Sequence, residues 1–258
     1  MQQKIMLEGR CHLSYAEYGD RTGYPILVQH GLIASIEDHD LFDQLIRSHA
    51  RLICIARPGY GESSPIALES FASWAELLSP LMRELGIARF DVLAMSSGAP
   101  YGYSIACRFL DRVRNLYIFS GIPALYDTVV LSHWPYKMKK DATLAEMERL
   151  AHELFFSNLT ADDLKRSDIR DSMMNRAFGV AQDLRLRPRD WGFDLADVGA
   201  KVFMRHSKSD TAVPYESAVR TAELLPDCDL ELLETGPHFS KEALDDFIES
   251  TVIRYMKR

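Results

Sequence analysis

The sequence predicts an α/β protein with a mostly parallel, doubly wound sheet into which a helical segment is inserted. Three observations lead to this fold class. Apolar strand-like runs alternate with helix-like stretches, a serine with small neighbours lies between one such strand and helix, and about eighty residues in the second half break the alternation. Alternating strands and helices are typical of parallel sheets covered on both faces. With 258 residues, 47% of them apolar, the chain can bury one large core.

Seven strands are predicted from short apolar runs bounded by turn residues. They lie near 11–17, 25–29, 51–56, 90–95, 115–120, 200–206 and 229–234. Longer stretches between and after them predict helices near 38–48, 70–86, 97–110, 215–225 and 241–257. The segment between the fifth and sixth strands indicates helices near 143–157, 160–170 and 172–184, rich in Met, Leu, Phe and charged residues.

Residues 94–98 read Ala-Met-Ser-Ser-Gly and stand directly between the fourth predicted strand and a helix. A nucleophile in such a sharp turn adopts a strained backbone conformation, so the residues two positions away must be small. Ala94 and Gly98 meet this demand. An inert turn serine would produce the same local pattern, and Ser96 is therefore a candidate nucleophile that needs partners.

A serine hydroxyl requires a histidine to accept its proton and a carboxylate to orient that histidine. Asp210 lies in the polar loop after the strand at 200–206, and His238 lies in the turn after the strand at 229–234. A solvated or helix-capping aspartate and an ordinary loop histidine are the alternatives. An acid after the strand that precedes the insertion would be a rival, but the nearest one there is Asp127. Asp210 is therefore the preferred candidate.

The chain order Ser96, Asp210, His238, with each residue on a loop after a strand, resembles the α/β-hydrolase family. Two further segments carry the resemblance: Gln-His-Gly-Leu at 29–32 and Ala-Arg-Pro-Gly-Tyr-Gly-Glu-Ser at 56–63. By position, the resemblance implies that the backbone amides of Leu32 and Ser97 form the oxyanion hole. The family usually has aspartate where this chain has Ala56, a departure that we interpret as structural.

The resemblance also implies a division of the chain. Residues 1–121 and 197–258 would form the α/β-hydrolase core, and residues 122–196 a helical lid over the carboxyl ends of the strands. Apolar lid residues either line an acyl pocket or attach the lid to the sheet. The candidates are Trp134, Phe155, Phe156, Met173, Met174 and Phe178. The residues that bind the substrate stay unassigned.

The expected activity is that of a carboxylesterase-like serine hydrolase. It would cleave esters or thioesters of small to medium apolar substrates through an acyl-enzyme, without a cofactor. The resemblance leaves open a C–C bond hydrolase, a proline iminopeptidase, an acyltransferase and a cofactor-free peroxidase. The serine at the elbow disfavours the dehalogenase and epoxide-hydrolase relatives, which use aspartate. A non-catalytic ligand-binding protein on the same scaffold is the alternative from another class.

Composition narrows the expected partners. A net charge of −7 and the lack of a basic patch disfavour nucleic acid. No segment approaches the roughly 20 apolar residues of a membrane span, and the first residues lack the apolar core of a signal peptide, so a cytoplasmic protein is expected. No metal or nicotinamide is expected, because the histidines lack ligand-like spacing and no Gly-x-Gly-x-x-Gly segment is present. A small-molecule substrate and a possible homodimer complete the expectation.

Overall fold

An eight-stranded sheet places the predicted site residues along one edge. The computed structural model describes residues 2–256. The strands are β1 (Gln3–Met6), β2 (His12–Gly19), β3 (Tyr24–Gln29), β4 (Ala50–Ile55), β5 (Phe90–Met95), β6 (Val113–Phe119), β7 (Lys201–Ser207) and β8 (Cys228–Leu233). Their order in the sheet is β1-β2-β4-β3-β5-β6-β7-β8. The mostly parallel sheet that the alternating pattern predicts is confirmed.

Strand direction creates the position where a site is expected. β1 and β2 pair antiparallel, as do β2 and β4, and every later pair is parallel. β3 lies between β4 and β5. The chain therefore passes from β3 to the strand on one side and then, from β4, to the strand on the other side, which reverses the strand order at β3. In open α/β sheets, ligands bind outside the carboxyl ends of the strands at such a reversal. The segments that follow β3 and β5 meet there.

Burial explains why the central strands read as continuous apolar runs. Every residue of β5 is buried, as expected for a parallel strand covered on both faces. β8, at the sheet edge, contains no buried residue and alternates between half-buried and exposed positions over its first four. The apolar side chains form two clusters, one including Trp74 and Tyr101 and the other including Leu45 and Phe247.

Helices flank the sheet. Outside the segment between β6 and β7 they are α1 (Asp43–Arg47), α2 (Ala72–Leu77), α3 (Ser79–Glu84), α4 (Ala99–Arg108), α8 (Tyr215–Glu223), α9 (Lys241–Phe247) and α10 (Ile253–Tyr255). Short 3₁₀ turns at Glu8–Arg10, His39–Phe42 and Ser96–Gly98, and a π-helical turn at Ile248–Val252, extend or join them, and a further 3₁₀ turn at Leu195–Asp197 directly precedes β7. Within residues 2–256, no helix is long and apolar enough to cross a membrane.

The segment between β6 and β7 is helical. It contains α5 (Thr128–His133), α6 (Leu144–Ala151) with a π-helical turn at His152–Phe156, a 3₁₀ turn at Asp163–Lys165, and α7 (Ser167–Leu186). The helix predicted near 160–170 is wrong as one element, because it comprises this 3₁₀ turn and the start of α7. The boundary predicted between 170 and 172 also lies too early.

The interruption of α7 lies at residues 174–177. Asn175, Arg176 and Ala177 have positive φ angles of 52°, 61° and 58°. This left-handed turn precedes Phe178 and Gly179, which pack against the loop after β4. A Cβ built on Gly179 would lie 2.3 Å from the Tyr60 ring, so only glycine allows this approach. Close packing on that loop explains the break, which helical periodicity does not reveal.

Candidate active site

Ser96 occupies a strained turn between β5 and α4. Its φ is +47°, in the left-handed region that non-glycine residues rarely adopt. A Cβ on Gly98 would lie 2.3 Å from the carbonyl oxygen of Gln29, so this flank requires glycine. At the other flank, the Ala94 methyl would lie 2.9 Å from a Cβ on Gly102. The extra methyl at Ala94 is thus accommodated by a second glycine, one turn into the helix.

Ser96, His238 and Asp210 come together from three loops and form a hydrogen-bonded series. Ser96 Oγ lies 2.8 Å from His238 Nε2, and His238 Nδ1 lies 2.7 Å from Asp210 Oδ2. The carboxylate can only accept, so Nδ1 carries a proton and a neutral imidazole has Nε2 free to accept from the serine. The series can therefore deprotonate Ser96 and keep the resulting imidazolium beside a carboxylate.

Asp210 is held by its own loop. Its Oδ1 accepts hydrogen bonds from the amides of Ala212 at 2.8 Å and Val213 at 2.9 Å, and its side chain is 0% exposed. Burial favours the neutral acid, but the hydrogen bonds from His238 and the two amides outweigh it and lower the pKa of Asp210 below its usual value. The carboxylate is therefore ionised and fixed before any substrate arrives.

A second histidine lies against the same carboxylate. His206 Nε2 donates to the carbonyl oxygen of Val213 at 2.9 Å and lies 3.3 Å from Asp210 Oδ2. Burial lowers the pKa of His206 and so favours the neutral ring, whose Nε2 proton is donated to Val213 O beside Asp210 Oδ2. The sequence shows no ligand-like spacing around His206 and assigns it no role at the site. In the structure it is a buried packing residue in contact with Asp210. The separation of four residues between His206 and Asp210 is the one feature of the sequence that could have indicated this contact.

The peptide that carries the Leu32 amide is fixed through its carbonyl. Arg57 Nη2 donates to Gly31 O at 2.9 Å, and His30 Nδ1 lies 2.9 Å from the same oxygen. In a trans peptide, C=O and N–H point in opposite directions, so anchoring Gly31 O aims the Leu32 amide away from Arg57. A Cβ built on Gly31 would lie 3.9 Å from Ser96 Cβ, which places this segment beside the serine.

The peptide between Ser96 and Ser97 is fixed in the same way. The amide of Ile122 donates to Ser96 O at 2.9 Å, which aims the Ser97 amide to the opposite side. Neither the Ser97 nor the Leu32 amide donates a hydrogen bond to any residue among 2–256. Both predicted donors are therefore oriented and available to an oxygen that gains negative charge.

A buried ion pair connects this segment to α7. Arg57 Nη2 lies 2.7 Å from Asp183 Oδ2, and the two side chains are 1% and 2% exposed. Tyr101 Oη donates to Asp183 Oδ1 at 2.6 Å, and Tyr60 Oη lies 3.1 Å from Oδ2 and 2.9 Å from Leu32 O. Sequence reasoning missed Asp183, because its partners are more than eighty positions away in the chain.

Arg187, also missed, lies at the end of α7. Its Nη2 donates to Ser97 Oγ at 2.8 Å, one residue beyond Ser96. Burial lowers the pKa of this guanidinium. The cluster Arg185-Leu186-Arg187-Pro188-Arg189 is visible in the sequence, but no local pattern separates the arginine that reaches Ser97 from its neighbours.

The remaining candidates lie elsewhere. Asp127 caps α5, where its Oδ1 accepts from the amides of Val129 and Val130, each at 2.9 Å. Of the apolar insertion residues, Phe156 and Phe178 are buried while Met174 is 43% exposed. Within residues 2–256, the side chains close enough to share a metal ion are His39, Asp40 and Asp43, none of which belongs to the predicted site.

Comparisons with known proteins point to one family. The uncharacterized hydrolase YcgS of Bacillus subtilis is 32% identical over 110 residues, which are 43% of this chain and 38% of that protein. A 2-hydroxy-6-oxononadienedioate/2-hydroxy-6-oxononatrienedioate hydrolase of Burkholderia vietnamiensis is 20% identical over 85% of this chain and 81% of its own. The solved esterase EaEST from Exiguobacterium antarcticum superposes with a TM-score of 0.74 at 20% identity, with both chains covered completely.

The sequence profile of the α/β hydrolase fold matches residues 24–242, which span all of the sheet except β1 and β2. Because this match covers most of the chain, the protein belongs to the α/β-hydrolase fold family.

Proposed function

We propose that this α/β-hydrolase cleaves carboxylic esters or thioesters of small to medium acyl groups through an acyl-enzyme. Ser96 attacks the carbonyl carbon and His238 takes its proton. Asp210 stabilises the imidazolium, and the amides of Leu32 and Ser97 bind the oxyanion. Water then attacks the acyl-enzyme by the same route and releases the acid. The single observation that carries the proposal is the continuous series Ser96 Oγ, His238, Asp210, at 2.8 and 2.7 Å.

Preorganisation supports the choice of acyl transfer. The two amides are held by anchored carbonyls, so they need no reorientation when the tetrahedral intermediate forms. Removal of one such donor costs roughly 3 kcal/mol of transition-state stabilisation in measured cases. A binding protein would have no use for two aimed amides beside a serine that is hydrogen-bonded to an imidazole.

Labelling tests whether Ser96 is activated. A fluorophosphonate probe reacts only with an activated serine, and we expect covalent attachment at Ser96 together with turnover of p-nitrophenyl butyrate. Ser96→Ala should lose both. Ser104→Ala is the matched control, because Ser104 is also buried, lies in α4 and has no hydrogen-bond partner among the described residues. An unlabelled wild-type protein would exclude the acyl-enzyme.

A C–C bond hydrolase is the second candidate. It is favoured by the similarity, over 85% of the chain, to the Burkholderia vietnamiensis hydrolase. The test is incubation with the dienedioate named for that relative, followed by the loss of the absorbance of its conjugated system. Cleavage faster than that of the ester would reverse the order of the two candidates.

The segment 122–196 is proposed to act as a lid that selects the substrate. The contacts of α7 support this role, because Asp183 and Arg187 both reach residues adjoining Ser96 or the proposed oxyanion donors. Replacement of insertion side chains should then alter preference among acyl groups while labelling of Ser96 persists.

A further inference from the structure

Two guanidinium groups lie near the carboxylate of Asp183, that of Arg57 from the loop after β4 and that of Arg187 from the end of α7. Asp183 already accepts from Arg57 at 2.7 Å and from Tyr101 at 2.6 Å, and Tyr60 Oη lies 3.1 Å away. Arg187 has no aspartate or glutamate oxygen within 4.0 Å among residues 2–256. The two guanidinium groups therefore share the single charge of Asp183, which contacts Arg57 directly, and the three groups together carry one net positive charge.

Arg187 is also poor in hydrogen bonds. Its Nη2 donates to Ser97 Oγ at 2.8 Å, whereas its buried Nε has no acceptor among the described residues. A partly buried cation without an ion-pair partner of its own destabilises the fold. Burial removes its hydration shell, and the protein offers no equivalent set of hydrogen bonds in return. A guanidinium retains its charge even so. Such a group has unused capacity to bind an anion.

The position of Arg187 selects the kind of anion. Ser97 Oγ is three covalent bonds from the Ser97 amide nitrogen, so the guanidinium lies within about two hydrogen-bond lengths, or ~6 Å, of the proposed oxyanion donor. A carbonyl bound at that amide would have its acyl chain pass close to Arg187. Planar guanidinium groups match carboxylates with two parallel hydrogen bonds.

We propose that Arg187 binds a substrate carboxylate, so that the preferred acyl group carries a terminal carboxylate a short carbon chain from the scissile carbonyl. This inference rests on the proposed ester hydrolysis and refines its substrate class from a wholly apolar acyl group to the monoester of a short dicarboxylic acid.

Matched esters test the preference. The monoethyl esters of succinate, glutarate and adipate are compared with ethyl butyrate, pentanoate and hexanoate, which differ only by a methyl group in place of the carboxylate. We expect kcat/KM to favour at least one carboxylate ester by about 10- to 100-fold, the range of a charge-assisted hydrogen bond. Equal or better turnover of all three neutral esters would overturn the proposal.

Variants of Arg187 test whether this residue causes the preference for carboxylate esters. Arg187→Gln should abolish it, mainly through KM for the carboxylate esters, so that the ratio of kcat/KM between the two ester series falls to about one. Arg187→Lys should restore part of it. Arg189→Gln is the control, because Arg189 lies on the same segment but donates to the carbonyl of Ala142. If Arg187→Gln slows both ester series equally, Arg187 only positions Ser97 and the proposal is wrong.

Binding separates this inference from the proposed function. Calorimetric titration of the Ser96→Ala protein with glutarate and with the neutral butyramide requires no turnover. We expect glutarate alone to bind, and the added Arg187→Gln change to remove that binding. If wild-type protein hydrolyses no ester but glutarate binds through Arg187, ester hydrolysis fails and the anion site stands. If esters are hydrolysed but glutarate does not bind, the anion site fails alone.

Discussion

Asp210 and Arg187 are both withdrawn from bulk water near Ser96, yet their charges are compensated very differently. Asp210, after β7, receives two backbone amides and His238 on its carboxylate. Arg187, at the end of α7, has one neutral hydroxyl as the hydrogen-bond partner of its side chain within residues 2–256. On the sheet, Asp210 thus has its hydrogen-bond partners in the free protein. On the insertion, Arg187 has room for an anionic partner that a ligand would supply. On the two proposals above, this contrast assigns reaction chemistry to the sheet and substrate choice to the insertion.

The largest expected effect is on the sheet side. His238→Ala should lower kcat for a neutral aryl ester by about 10⁶-fold, because the serine loses the base that accepts its proton. Thermal unfolding should change little, since the imidazole side chain is 25% exposed. Ester kinetics and a melting curve are the measurements. His152→Ala, an exposed histidine on the insertion, is the control. A loss under tenfold would remove His238 from the proposed mechanism.

Asp210→Asn should have the next largest effect. The amide no longer stabilises the imidazolium and favours the wrong tautomer of His238, and we expect about a 10⁴-fold loss of kcat. If serine chemistry belongs to the sheet, the preference for carboxylate over neutral esters should survive in the residual activity. A changed preference would show that the two regions are not separable.

Asp183→Asn addresses the insertion. Removal of one partner from a buried ion pair leaves Arg57 uncompensated beside Arg187, and we expect a loss of about 3–5 kcal/mol in the free energy of unfolding. Urea denaturation measures it, with the exposed Asp190→Asn as control. A loss below about 1 kcal/mol would mean that the network of Tyr60 and Tyr101 tolerates the missing charge.

The smallest effect concerns pH. Because the folded pKa of Asp210 is lowered, its carboxylate stabilises the protein at pH values above the ordinary aspartate pKa of about 3.9. That stabilisation disappears as the pH falls through the lower folded pKa. The difference in unfolding free energy between wild type and Asp210→Asn should therefore shrink between pH 6 and strongly acidic solution. A difference that stays constant would contradict this assignment.

The sheet could be predicted because its information is local. β2 to β8 lie where apolar runs end at turn residues, and the loops after β5, β7 and β8 bring Ser96, Asp210 and His238 together. β1 escaped prediction because one of its four residues is buried, which gives no periodic signal. The short helix α5 escaped for a similar reason, since Val130 is its one buried residue.

The insertion resisted prediction because its contacts are distant in the chain. Asp183 meets Arg57 across 126 positions and Arg187 meets Ser97 across 90. The left-handed turn at 174–177 contains no glycine, so no residue type announces it. These features follow from packing against the loops of the sheet and become visible only in three dimensions.

The double attachment of Arg57 has a consequence for motion. One guanidinium holds both the carbonyl of Gly31 and the carboxylate of Asp183. An outward swing of the second half of α7 would therefore leave the buried Arg57 guanidinium without its carboxylate and would weaken one of the anchors of the Leu32 peptide. On the proposed function, we therefore expect a substrate to enter past residues that precede the turn at 174–177, with the stretch beyond it docked during turnover.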